Sequence, residues 1–284
     1  MTDPTPYDVI IIGSGAGGGT LAYALAPSDA HVLILERGDF LPRESANWDP
    51  EAIFHDDRYK TKETWRDQSG EAFSPSTYYT VGGNTKMYGA ALMRMREEDF
   101  GAVEHHDGTS PAWPIGYDRL EPYYTQAERL YHVHGAANTD PTAPRRSASF
   151  PHPPVPHDDR IERLERDLQG LGRQPFPLPV GVRLNETDDP EGPFLLRELY
   201  KLNGIESFDG YPDLTALKAD AETTCVRPAL EHDNITLHTN TYVKRLETSA
   251  DGRTVTTVVA ERDGDRVTYQ GDVVVASCGA INSA

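Results

Sequence analysis

The sequence predicts an α/β fold, and two distant stretches predict it. Near the start an apolar run, Tyr7-Asp8-Val9-Ile10-Ile11-Ile12, leads into Gly13-Ser14-Gly15-Ala16-Gly17-Gly18, and a second run, His31-Val32-Leu33-Ile34-Leu35, ends on Glu36. Far downstream, three β-runs precede Asp272-Val273-Val274-Val275-Ala276-Ser277, a continuous apolar strand of the kind buried in parallel sheets. Strand, glycine turn, helix and second strand together make a Rossmann-like unit.

Each part of that unit has a physical reason. Gly13 allows a tight turn out of the strand, Gly15 lets backbone approach a pyrophosphate, and Gly18 lets the helix lie close to the sheet. A helix starting near Ala16 turns its unpaired N–H groups and positive dipole end toward the phosphates. Glu36, 21 residues after Gly15, is spaced to accept hydrogen bonds from a ribose. Its charge disfavours a 2′-phosphate. The chain therefore reads as a dinucleotide binder.

Composition narrows the class. The 284 residues can bury one large or two ordinary cores. A net charge of −18, spread along the chain, argues against nucleic-acid and anionic-membrane partners. Two cysteines, Cys225 and Cys278, are too few for a disulfide framework or a Cys-based metal cluster, and both read as packed rather than reactive. The start, Met1-Thr2-Asp3-Pro4, has no basic leader, and no segment is long enough to span a bilayer, so the expected location is cytoplasmic. No metal site is expected.

Between the two ends the pattern is uneven. A polar stretch runs from Arg37 to about Tyr78, followed by a glycine-rich block, Val81-Gly82-Gly83-Asn84-Thr85-Lys86-Met87-Tyr88-Gly89-Ala90-Ala91-Leu92-Met93-Arg94. Trp113 to about Ala136 suits a helix, with Leu120, Tyr123, Tyr124, Ala127, Leu130 and Tyr131 at helical spacing. Asp140 to His157 holds six prolines and reads as extended. Arg160–Leu171 and Lys218–Leu230 read as helices, 172–214 as loop, and Ile235–His238 as a short strand. Tyr242–Thr248, Thr254–Glu261 and Arg266–Tyr269, joined by Asp251-Gly252 and Asp263-Gly264-Asp265, predict a three-stranded meander.

The fingerprint, the glycine block at 81–94 and the late strand ending in Ser277-Cys278-Gly279-Ala280-Ile281-Asn282-Ser283 resemble, in that order, the glucose-methanol-choline (GMC) oxidoreductases, specifically their N-terminal portion. The resemblance covers both ends of the chain and leaves the middle mostly unmatched. It implies a discontinuous FAD-binding domain of residues 1–112 and 216–284, with 113–215 forming part of a substrate or cap region. It further implies that Gly13, Gly15 and Gly18 meet the FAD pyrophosphate and Glu36 the adenosine ribose. Gly82, Gly83, Asn84 and Thr85 would line the flavin side, and the backbone of Val243 the adenine edge. Ala276, Gly279 and Ala280 would lie near the cofactor. The activity implied is oxidation of an alcohol or sugar CH–OH group by hydride transfer to flavin N5.

Two departures qualify the resemblance. Relatives that attach FAD covalently do so through a histidine in or just after the glycine block, where this chain has Lys86, Met87 and Tyr88, so FAD is expected to be non-covalent. The family's catalytic histidine pair would fall beyond Ala284, so a C-terminal half is expected elsewhere, as continuing sequence or as a separate chain. His105-His106 and the His132/His134 pair read as packing or surface residues, and no G-x-S-x-G elbow occurs. Two other readings share the motifs: an NAD-dependent dehydrogenase, and a truncated, non-catalytic flavin-binding protein that needs a partner chain.

Overall fold

In the computed structural model, which describes residues 7–184 and 209–283, the strand that leads into the glycine fingerprint is an interior strand of a parallel sheet. Tyr7–Ile12 forms β1, Ala16–Leu25 forms α1 and Val32–Leu35 forms β2. Then Ile235–His238 forms β3, and the meander follows as β4 (Thr241–Thr248), β5 (Val255–Arg262) and β6 (Asp265–Tyr269). Gly271–Ala276 is β7. The four parallel strands run in the order β7-β1-β2-β3, with Tyr7 paired to Gly271 and Val32 to Ile235.

The apolar runs are continuous because both faces of the sheet are covered. On one face Ile10, Ile12, Leu33 and Leu35 pack with Val258, Ala260 and Tyr269 of the meander. On the other, Ile11, Val32 and Ile34 pack with Ala22 and Ala26 of α1 and with Ala229. Each such aliphatic side chain contributes about 1.5–3 kcal/mol when buried. α1 carries three consecutive glycines, Gly17 to Gly19, which are weak helix formers, so packing on the sheet is what holds it. The β5–β6 hairpin closes as the Asp-Gly signal predicts, with Asp263 at φ +52° and Gly264 at φ +89°.

One expectation about β7 fails. Among the described residues it lies at the sheet edge rather than in the interior, and Val273 is 52% exposed. An apolar run shows that a strand prefers burial, not that a neighbour lies on each side.

Of the described residues, 7–88, 209–216 and 220–283 make one compact unit, and 89–184 with 217–219 make another. Residues 89–112, grouped by the sequence reading with the first part, pack in the second. Lys218 and Ala219 are not helical as expected. Lys218 bridges to Val182 and the Ala219 N–H donates to the Gly181 carbonyl, so helical turns begin only at Glu222 and run through Ala229.

The second unit contains α2 (Tyr117–Leu130) and α3 (Asp159–Gly170). α3 starts on Asp158, whose carboxylate accepts from the N–H groups of Arg160 and Ile161. α2 is shorter than predicted and its buried stripe is a different one. Tyr117, Glu121, Thr125 and Glu128 face inward, whereas Tyr123 is exposed. The reason is Arg94, whose buried guanidinium donates to Glu128, Glu121, Tyr117 and Thr125 at 2.8–3.0 Å. A buried cation takes the acceptors it needs even when apolar residues sit on the neighbouring face. The expected loop 172–214 falls partly outside the described residues; its described part includes the short Val180–Gly181 pairing with Val133–His134. No described helix is long and apolar enough to cross a membrane.

Candidate dinucleotide site

The turn from β1 into α1 is built so that only glycine fits at two positions. Gly13 has φ +94°, and a Cβ there would stand 2.7 Å from the Ser277 carbonyl oxygen just past β7. A Cβ at Gly18 would overlap the Gly13 carbonyl oxygen. Gly15 differs: a Cβ would meet nothing closer than the Gly82 oxygen at 3.9 Å and Gly83 Cα at 4.0 Å. Its side faces the second glycine turn, Gly82-Gly83 (φ +88° and +55°), at ordinary van der Waals distance, and a Cβ on Gly83 would stand 3.2 Å from Gly15 Cα. Gly15 is also the N-cap of α1, with no side-chain cap and no acid in the first turn. The helix start therefore presents bare N–H groups and about half a positive charge. An uncapped helix start carried by a glycine turn fits a pyrophosphate.

Glu36 lies at the end of β2 and is 5% exposed. Its Oε2 accepts from the Ser14 N–H (3.0 Å) and the Ser14 hydroxyl (2.6 Å), and its Oε1 from the Gly38 N–H (2.9 Å). These bonds fix the carboxylate beside the glycine turn, where a ribose diol following the pyrophosphate would reach it.

The remaining predicted residues divide into two groups. Ala276 pairs with Ile12 at the end of the sheet next to the turn, so it lies with the fingerprint. Val243 lies in β4, which among the described residues is an edge strand of the meander, with one backbone side that has no ladder partner. β4 is tied to the same corner, because the Thr241 N–H donates to the Glu36 carbonyl at 2.8 Å. The other group points elsewhere or stands apart. Thr85 is turned inward, its hydroxyl donating to the Gly82 carbonyl and accepting from the Ala221 N–H. Asn84 is exposed, and its side-chain oxygen accepts from the Tyr78 N–H. Gly279 and Ala280 are exposed beyond β7, Gly279 at φ +84°.

Two charged arrangements near these turns escaped sequence reading. Lys86 is buried against Asp220 and Glu222, each at 2.8 Å, and Glu222 also holds Arg227. Burial pulls the Lys86 ammonium down, but the two carboxylates outweigh it and hold its pKa above the ordinary range. Burial raises the Asp220 carboxyl. This cluster pins the second glycine turn to the segment before Glu222, since a Cβ on Gly82 would reach the Glu222 nitrogen at 3.0 Å. The second arrangement begins at Arg37, which stacks between the rings of Tyr79 (3.9 Å) and Tyr242 (3.8 Å) and pairs with Glu63. Burial, and then the bond to Glu63, push the Tyr79 hydroxyl up to about 12. The signal for the first was a lysine inside a glycine-rich block with no acidic residue beside it; the partners, more than 130 residues away, could not be read.

The histidines do not assemble a centre. His105 and His106 are exposed on a hairpin, and His132, His152 and His134 stack in series with ring centroids 5.9 and 4.7 Å apart. His134 Nδ1 lies 2.8 Å from the Pro153 carbonyl. Among the described residues the one group with metal-ligand proximity, Glu51, His55 and Asp56, is fully on the surface.

Comparison with known proteins agrees with this geometry. Residues 11–49 match the model of an NAD(P)-binding Rossmann-like domain. The chain is 30% identical over 287 residues to a 6‴-hydroxyparomomycin C oxidase of Streptomyces lividus, covering 98% of this chain and 49% of the relative. It is also 30% identical to a paromamine 6′-oxidase of Streptomyces fradiae, covering 99% of this chain and 49% of the relative. The chain thus spans about half the length of the curated relatives it matches. Its fold is similar to that of pyridoxine 4-oxidase from Mesorbium loti, with a TM-score of 0.61 at 17% identity over 98% of this chain and 50% of that one.

Proposed function

We propose that the chain is a member of the glucose-methanol-choline oxidoreductase family and forms the FAD-binding part of an enzyme that oxidises the CH–OH group of an alcohol or sugar. The observation that carries the reading is the meeting of two glycine turns beside an uncapped helix start, with a clamped carboxylate at the end of the next strand.

The chain's residues have definite tasks in this reading. Gly13, Gly15 and Gly18, with the free N–H groups at the start of α1, hold the pyrophosphate. Glu36 takes the adenosine ribose, and the open backbone edge of β4 at Val243 takes the adenine. Gly82, Gly83, Asn84 and Thr85 border the flavin half, and Ala276, Gly279 and Ala280 lie near the cofactor at the carboxyl edge of the sheet. Bound FAD supplies the two-electron acceptor for the carbinol hydride; the protein supplies position and excludes water. The first compact unit serves the cofactor and the second the substrate. Relatives named as oxidases of paromomycin-type compounds support a hydroxylated, sugar-like substrate.

FAD is held without a covalent bond, which is supported by Lys86, Met87 and Tyr88 standing where a linking histidine would be. The test is spectral. Purified protein should show the flavin absorbance band at about 450 nm, and acid precipitation should release the colour to the supernatant. A colourless protein that binds NAD instead would overturn the reading, and a yellow pellet would overturn the non-covalent part. An NAD-dependent enzyme is favoured only by the description of the matching Rossmann model. Against it, the chain leaves the regular βα pattern for a meander packed on the sheet.

A further inference from the structure

Ser14 occupies a variable position of the glycine fingerprint, yet it is completely buried and both functions of its hydroxyl are used. The O–H donates to Glu36 Oε2 at 2.6 Å, and the Oγ accepts from the Gly82 N–H at 3.1 Å. Gly82 is 68 residues away and opens the second glycine turn in a left-handed conformation. One small side chain thus joins the carboxylate at the end of β2 to the glycine turn that packs against Gly15.

The consequence for Glu36 follows from its acceptor count. A carboxylate has about four acceptor positions. Three are filled by the Ser14 N–H, the Ser14 hydroxyl and the Gly38 N–H, and the remaining direction lies on Oε1. Ser14 therefore decides which oxygen faces a ribose. Through Gly82 it also sets the second turn, because without the Oγ a buried N–H in that turn loses its acceptor.

We infer that Ser14 is a positioning residue that couples the ribose-binding carboxylate Glu36 to the second glycine turn, so that the two halves of the dinucleotide site form as one. This rests on the dinucleotide reading above and goes beyond it by assigning Ser14 a linking role. It touches no reacting atom.

The test compares two ligands on the full-length protein. ADP engages the Glu36 side alone, whereas FAD engages both turns. Affinities for each are measured by calorimetry for the wild type, Ser14→Ala, Glu36→Gln and the double variant, with apo melting temperatures as the structural control. Ser14→Ala should weaken ADP about tenfold, the loss expected for a hydrogen bond to a charged group. It should weaken FAD by several-fold more than ADP. In the Glu36→Gln background the effect of Ser14→Ala on ADP should shrink, while its excess effect on FAD persists. Unchanged affinities in Ser14→Ala would overturn the proposal and leave the dinucleotide site standing. Equal losses for ADP and FAD would also overturn it, reducing Ser14 to an orienter of Glu36. A wild type that binds neither ligand would remove the dinucleotide reading itself, and the inference with it. Should alanine unfold the protein, Ser14→Cys gives the same comparison, with similar volume and a much weaker hydrogen-bonding group.

Discussion

Gly18 and Lys86 show how single residues set the candidate site, by opposite means. Gly18 acts through having no side chain: the Gly13 carbonyl oxygen occupies the place where a Cβ would go. Gly18→Ala must push α1 off β1, and overpacking of this kind costs about 1–3 kcal/mol. A thermal melt should register the loss, and dinucleotide affinity should fall with it. Lys86 acts through its charge. Lys86→Met leaves Asp220 and Glu222 buried beside each other without their shared cation. Such a break costs about 3–5 kcal/mol, to be read as a lower urea midpoint. A stability equal to wild type would show that the cluster does not hold the second glycine turn. Of these residues, Gly18 and Glu36 were legible in the sequence because their spacing is local. Lys86 and Ser14 were not, since each takes its meaning from partners brought close only by folding.

At the scale of elements, α2 carries the clearest pH dependence. The Glu121 carboxyl is lowered to about 2, first by the Ser147 N–H and then, against the penalty of burial, by Arg94 and the Ser147 hydroxyl. A depressed carboxyl contributes stability that is full above its unfolded value of 4.5 and is lost as pH falls toward 2. Melting temperatures should therefore drop across that window. Glu121→Gln should be less stable near neutral pH and show a flatter acid limb; an unchanged limb would show that Glu121 does not govern it. The helix also shows where sequence reading works and where it stops. Strands β1, β2 and β3 and the meander were visible because burial on both faces, or Asp-Gly turns, leave a short-range record. The inward face of α2 was misread because helical periodicity records apolar residues, whereas this face is chosen by one arginine on another segment. The edge position of β7 was hidden for a related reason: a strand's own residues do not state how many neighbours it has.

For the whole molecule, charge is the dominant property. At −18 the chain repels itself and polyanions at neutral pH, and its isoelectric point is near 4.9. Solubility should pass through a minimum around that pH, seen as a turbidity maximum in a pH series at low salt; a clear solution throughout would mean that surface charge does not control association. The order of the parallel sheet has a different consequence, which concerns time. β1 and its neighbour β7 are made far apart in time, with Tyr7 paired to Gly271. At about 5–20 residues per second, a ribosome leaves one edge of β1 unpaired for tens of seconds. Throughout that interval Val9, Ile10, Ile11 and Ile12 form an apolar edge open to the wrong strand. The nascent chain is therefore vulnerable until β7 emerges, which makes chaperone supply and translation speed determinants of how much protein reaches the native state.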